Sequence, residues 1–185
     1  MIKSKEDLKK FLELDNVSLF GENRESKEKY MKRVKDPRYW ISVYLTYLCK
    51  EEFYKNQDAQ NYYTKLLSLI YERKRNKLGE KLGFCMEENC FEEGLSIEHC
   101  GNIVINPKAR IGKHCRLHGN NCIGNNGFID EAPTIGNNVD IGFGAVVIGN
   151  IHIADNIKIG ANAVVNKSFY EQGITIAGVP ARRVK

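Results

Sequence analysis

The chain has no run of about 18 apolar residues, the least that a membrane-crossing helix needs. Residues 1–30 are too charged for a secretory leader, so the expectation is a cytoplasmic protein without membrane insertion. The six cysteines, Cys49, Cys85, Cys90, Cys100, Cys115 and Cys122, include no C-x-x-C pair. That argues for buried free thiols in a reducing compartment. A zinc site from Cys85, Cys90, Cys100 and a histidine stays open, though no ligand pair has zinc-finger spacing, and no metal is expected. The repeat-bearing part lacks the interleaved aromatic and basic residues that read single strands, so no nucleic-acid partner is expected.

What is present is the composition of a globular protein: 185 residues, 42% apolar and 28% charged, enough for one ordinary domain or two small ones. The net charge of +5 is unevenly shared. Residues 1–81 carry 19 Lys and Arg against 13 Asp and Glu, whereas residues 82–185 carry 9 against 10. A basic half of this kind is a lysine-rich solvated surface or an attractor of acidic partners.

The first part reads as helices. Ser4 is a plausible N-cap followed by acidic Glu6 and Asp7, and Leu8, Phe11 and Leu12 form a stripe at helical spacing. Asn16 to Asn23, with Gly21, reads as a loop. Ser26 to Lys35 reads as a charged helix stopped by Pro37. Between Pro37 and Asn56, residues Trp40, Val43, Tyr44, Tyr47 and Leu48 share one helical face. A further helix spans roughly Ala59 to Leu78, with Gly79 as its C′ residue and Arg73-Lys74-Arg75 in its last turns, where cations complement the helix dipole. Glu87, Glu88, Glu92 and Glu93 then mark an acidic approach expected to be exposed.

From Ile105 to Tyr170 the chain repeats every six residues. Ile105, Ile111, Leu117, Ile123, Ile129, Ile135, Ile141, Val147, Ile153, Ile159 and Val165 keep that spacing, and Ala109, Cys115, Val139, Ala145, Ile157 and Ala163 follow such positions by four. A period of six is neither a helix at 3.6 nor a strand at 2. It suits very short strands joined by turns, each repeat burying its apolar residue only by stacking on its neighbours. The interspersed Gly and Asn suit corners that need positive φ.

This pattern resembles the hexapeptide-repeat acyltransferases, and the resemblance implies a left-handed parallel β-helix with three hexapeptides per triangular coil. The fold class expected is therefore α+β: a helical N-terminal domain over 1–81, then a left-handed β-helix acetyltransferase domain over 82–185. Ile97-Glu98-His99, with Gly101 and Ile103-Val104 ahead of the coil, resembles the active-site segment of serine O-acetyltransferases. Ala177-Gly178-Val179-Pro180-Ala181 resembles the A-G-x-P-A close of acetyl-CoA-dependent members. The similarity is greatest to the short forms found in surface-polysaccharide gene clusters.

The resemblance implies an acetyl-CoA-dependent O-acetyltransferase that moves the acetyl group directly to an acceptor hydroxyl, with His99 as general base. An alcohol is a poor nucleophile at neutral pH, and an imidazole removes its proton most effectively there. Glu98 stands where these enzymes hold an aspartate against the amino-acid substrate, and His118, pointing off the coil, is a second catalytic candidate. For the acetyl-CoA co-substrate the resemblance points to Gly142, Ala145, Gly160 and Ala163 along the coils and to Lys167, Arg182 or Arg183 for the phosphates.

Two departures bear on the acceptor. Phe84 stands where the family has the aspartate that orients the histidine, and Glu131-Ala132-Pro133 stands for an Arg-His-Pro segment that takes part in substrate binding. The small-molecule acceptor is thus serine or a saccharide, the latter in surface-polysaccharide biosynthesis. The resemblance also implies a homotrimer, with pairing into hexamers left open. Two other classes share the fold. A γ-carbonic-anhydrase-type lyase needs three histidines on zinc, and His99, His114 and His118 supply the number without its H-x-x-x-x-H spacing. A non-catalytic trimeric scaffold would use the coils as a rod.

Overall fold

The computed structural model describes residues 1–21, 24–59 and 61–185. Four helices come first: α1 (Lys5–Phe20), α2 (Arg24–Val34), α3 (Pro37–Lys55) and α4 (Tyr62–Leu82). Short strands follow: β1 (Phe84–Cys85), β2 (Ser96–Ile97), β3 (Ile103–Ile105), β4 (Arg110–Ile111), β5 (Arg116–Leu117), β6 (Cys122–Gly124) and β7 (Thr134–Ile135). The series closes with β8 (Asp140–Ile141), β9 (Val146–Ile148), β10 (His152–Ile153), β11 (Lys158–Ile159), β12 (Val164–Val165), β13 (Thr175–Ala177) and β14 (Arg182–Arg183).

The strands stack into three sheets, β1-β3-β6-β9-β12, β4-β7-β10 and β2-β5-β8-β11-β13-β14, all parallel except the last pair. The chain visits the three faces in turn. Each strand is too short to bury its own aliphatic residue, so the core is a pile of them: Ile97, Leu117, Ile141, Ile159 and Ile176 stack in register on the third sheet. Residues four further on, among them Ala109, Cys115, Val139, Ala145, Ile157 and Ala163, fill the interior between faces.

One of the periodic aliphatics does not join the pile. Ile129 is 42% exposed and its neighbour Phe128 is 93% exposed. Register explains why. Ile159 follows its partner Ile141 by 18 residues, but Ile141 follows Leu117 by 24, as Ile135 follows Ile111 and Val147 follows Ile123. One six-residue unit between β6 and β7 is extruded as a loop, tied by Asn126 Oδ1 to the Phe128 and Ile129 amides. An insertion of one full period leaves the six-residue spacing of the sequence undisturbed.

The helices close the open end of the pile. Ile41, Tyr44, Leu45 and Leu48 of α3 join the same hydrophobic cluster as Phe84, Met86 and Leu95, with Tyr44 set edge-on to Phe84. The buried face of α3 is thus turned from the expected one: Trp40 is exposed and Val43 only half-buried, and Ile41 and Leu45 are buried instead. Ser4 caps α1 as expected, in a reciprocal bond with Asp7. The helix runs to Phe20, through the stretch expected to be loop, because Phe20 is buried and Leu19 packs against the core. Asn23, the end of that stretch, and Gln60, inside the expected fourth helix, lie outside the described residues.

Helix α4 also passes its expected stop. It ends at Gly83, φ 80°, and Gly79 lies inside it, where a Cβ would fall 2.6 Å from the Phe84 carbonyl oxygen. The run Arg73-Lys74-Arg75 is therefore mid-helix. Arg75 turns inward, its Nε 2.5 Å from Oε2 of the fully buried Glu51, so a tertiary ion pair replaces the expected dipole role. The acidic approach is corrected too. Glu87 and Glu92 are exposed, but Glu88 meets Lys55 at 3.0 Å and the buried Glu93 meets Lys10 at 2.8 Å and Lys113 at 3.2 Å. Burial pushes the Glu93 carboxyl up, yet the two lysines outweigh it and hold it at about 2. All six cysteines are free; Cys85 is exposed rather than buried. Among the described residues no helix is long and apolar enough to cross a membrane.

Candidate active site

The outer surface of the third sheet gathers the residues singled out from the sequence. Ser96, Arg116, Asp140, Lys158 and Thr175 stand in register, each one place before an inward aliphatic. One place after those aliphatics runs a second column: Glu98, His118, Gly142, Gly160 and Ala177. It is held by backbone bonds from Glu98 to Leu117, His118 to Ile141, Gly142 to Ile159 and Gly160 to Ile176. His99 lies at the adjoining corner over Gly119, where a Cβ would be 3.4 Å from the His99 Cβ and 3.3 Å from the Phe143 ring. Glu98, His99 and His118 are thus brought together on one edge, above Gly142 and Gly160.

Side-chain chemistry at this edge is specific. Ser96 Oγ donates to Glu98 Oε1 at 3.1 Å, and Arg116 Nε lies 3.3 Å from the same oxygen. His118 Nε2 lies 2.7 Å from Asp140 Oδ1 across adjacent rungs. The start of α3 reaches the edge as well. Arg38 is gripped by Asp36, which holds its guanidinium above the usual range, and the Glu98 charge adds to that. His99 itself is exposed, and among the described residues neither ring nitrogen has a hydrogen-bond partner. Phe84, at the family's orienting position, is buried between α3 and the coil and puts no carboxylate on the ring. Of the four glutamates that could replace it, Glu88 and Glu93 are committed to lysines.

The residues expected for a thioester co-substrate separate. Gly142 and Gly160 face outward on the His118 column, and each is tightly stacked: a Cβ on Gly142 would meet the Ala161 amide at 2.6 Å. Ala145 and Ala163 are corrected. Both methyl groups are fully buried inside the coil, because these positions fill the interior, and their carbonyls accept ladder bonds from Cys122 and Val146. Lys167 is exposed over the Phe169 ring, and Arg182 lies exposed on β14 opposite Ala177. Arg183, not Arg182, makes an ion pair, with Glu171. His114 rests on Gly94 and His152 stacks on Tyr170, away from this edge. Among the described residues no three His, Cys, Asp or Glu side chains converge as metal ligands would.

Asp140, Arg116 and Arg38 escaped the sequence reading. Asp140 carried one usable signal: like Arg116, it stands immediately before an inward aliphatic, hence outside the coil. Its pairing with His118 was hidden because the extruded unit puts 22 residues between them.

No family model matches the chain. A serine acetyltransferase of Synechococcus elongatus is 36% identical over 92 residues, which is 49% of this chain and 37% of that protein. Soybean serine acetyltransferase complexed with serine superposes with a TM-score of 0.74 at 20% identity, covering 97% of this chain and 70% of that one. The Brucella abortus enzyme in complex with coenzyme A gives 0.70 at 21% identity, covering 97% and 68%. The chain resembles the serine acetyltransferases. The structural likeness extends through the helices as well as the coil, so the whole fold is that of these enzymes. The chain spans about half the length, or less, of the curated relatives it matches.

Proposed function

We propose that the protein is an acetyl-CoA-dependent O-acetyltransferase of the serine-acetyltransferase type. The acetyl group passes directly from the thioester to an acceptor hydroxyl at the Glu98–His99 edge. His99 takes the hydroxyl proton as oxygen attacks the thioester carbonyl; the C–S bond then breaks and the thiolate regains that proton from the imidazolium. Acetyl-CoA is already activated, so no covalent enzyme intermediate is required. The observation that carries the reading is the stacking of Glu98, His118, Gly142 and Gly160 in one column beside His99. Acid, imidazoles and a small-residue track for a pantetheine arm share one edge there. Lys167 and Arg182 are the cations for the CoA phosphates.

The serine-bound and coenzyme-A-bound neighbours support this chemistry. They also support coils that wind left-handed, and we take the working form as a cytoplasmic homotrimer with the edge lining the cleft between subunits. A saccharide acceptor, as in surface-polysaccharide synthesis, is the second reading. It is favoured by one observation: Ala132 is buried and its neighbours are Glu131 and Pro133, so this segment offers an amino-acid carboxylate no cation. The histidines do not gather for a metal lyase, and the built edge is more than a scaffold needs.

The test is thiol release from acetyl-CoA with L-serine and with a panel of sugars. His99→Ala should lower turnover at least about a hundredfold, the span of a lost general base, while coenzyme A still raises the melting temperature. Unchanged turnover in that variant would sink the mechanism.

A further inference from the structure

His118 stands one rung from Glu98 on the same outward column, with Asp140 on the rung beyond. A carboxylate only accepts, so the 2.7 Å contact places the ring hydrogen of His118 on Nε2. In the neutral ring Nδ1 then carries a lone pair, and among the described residues nothing bonds to it. Glu98 is in a similar state. Ser96 and Arg116 both sit on its Oε1, leaving Oε2 without a protein partner among the described residues. Two free hydrogen-bond acceptors therefore lie on adjacent rungs, about 4.8 Å apart along the pile. Two hydroxyls on neighbouring carbons can bridge that spacing.

We propose that His118, its ring fixed by Asp140, is an acceptor-binding residue for a sugar. Its Nδ1 and Glu98 Oε2 each take a hydrogen bond from one of two neighbouring hydroxyls, and an adjoining hydroxyl faces His99. The proposal rests on the acetyltransferase reading and names its acceptor class. Cations on the same face point the same way. Arg116 is committed to Glu98 and Arg38 to Asp36. Lys158 stands three rungs from Glu98, about 14 Å at strand spacing, too far to take the carboxylate of an amino acid whose ammonium meets Glu98. The edge suits a ligand rich in donors and without a carboxylate. Asp140 is a positioning residue: it acts through the ring it holds.

The experiment is steady-state kinetics with methyl glycosides, their deoxy analogues and L-serine as acceptors. His118→Ala should raise the KM for the preferred glycoside about tenfold, the worth of one hydrogen bond with its partner left unpaired. Its kcat should stay within about twofold and its KM for acetyl-CoA should not move. His118→Asn, whose Oδ1 occupies the place of Nδ1, should restore most of the loss. Asp140→Asn should raise the same KM less, and should add nothing in a His118→Ala background. The deoxy analogue lacking the bound hydroxyl should be insensitive to His118→Ala. A fall in kcat with unchanged KM, or additive effects of the two substitutions, would overturn the assignment. Transfer to L-serine with all sugars inert would overturn it while leaving the acetyltransferase reading intact. No transfer to any acceptor would overturn both.

Discussion

Replacing Asp15 by Asn should change how stability depends on pH. Asp15 lies in α1 and is 6% exposed. Its Oδ1 accepts from the amides of Gly94 at 2.7 Å and Leu95 at 3.0 Å, the residues that lead into β2 and hence to Glu98 and His99. Burial dominates and pushes the carboxyl up to about 7, although the two amides and the Cys49 thiol pull it down. In the unfolded chain it ionises near 4. Between those values the unfolded chain has released the proton while the folded one keeps it. Stability from this group is therefore fully present below pH ~4, falls as pH rises, and is gone above ~7. A gap of about 3 units corresponds to about 4 kcal/mol. Asparagine keeps an oxygen for both amides and never ionises. The stability of Asp15→Asn minus that of the native chain should grow by up to about 4 kcal/mol from pH 4 to pH 8. Urea denaturation at fixed protein concentration, followed by circular dichroism at pH 4.5, 6 and 8, measures it. A difference that stays flat across those values would refute the reasoning. The difference isolates Asp15, because Glu93 and the other carboxylates titrate alike in both proteins.

Two further predictions concern packing. Arg75→Ala should cost about 3–5 kcal/mol, because it strands the fully buried Glu51 with only Lys55 beside it, whereas Arg75→Met with Glu51→Leu should recover most of that in thermal melts. Ile123→Ala should cost about 2–5 kcal/mol, and Ile129→Ala, at an equivalent place in the repeat, less than about 1 kcal/mol. Equal losses at the two positions would mean that the extruded unit is packed after all.

The sequence by itself determined the periodic core. A residue that recurs every six positions has one way to be buried in short stacked strands, so Leu117, Ile141 and Ile159 could be assigned inward and Glu98 and His118 outward before any coordinates. It also marked the chemistry at Glu98 and His99, since a motif carries its spacing with it. Other features depended on long-range contacts that no local pattern encodes. Helices α1 and α4 run past their local stop signals because Phe20 and Leu82 gain burial there. Arg75 turns inward because Glu51, distant in sequence, awaits it. Ile129 keeps the period yet leaves the core, since an insertion of one whole repeat is invisible to spacing. The same insertion brings Asp140 beside His118. Local periodicity says which way a side chain points; only the register between coils says which side chain it meets.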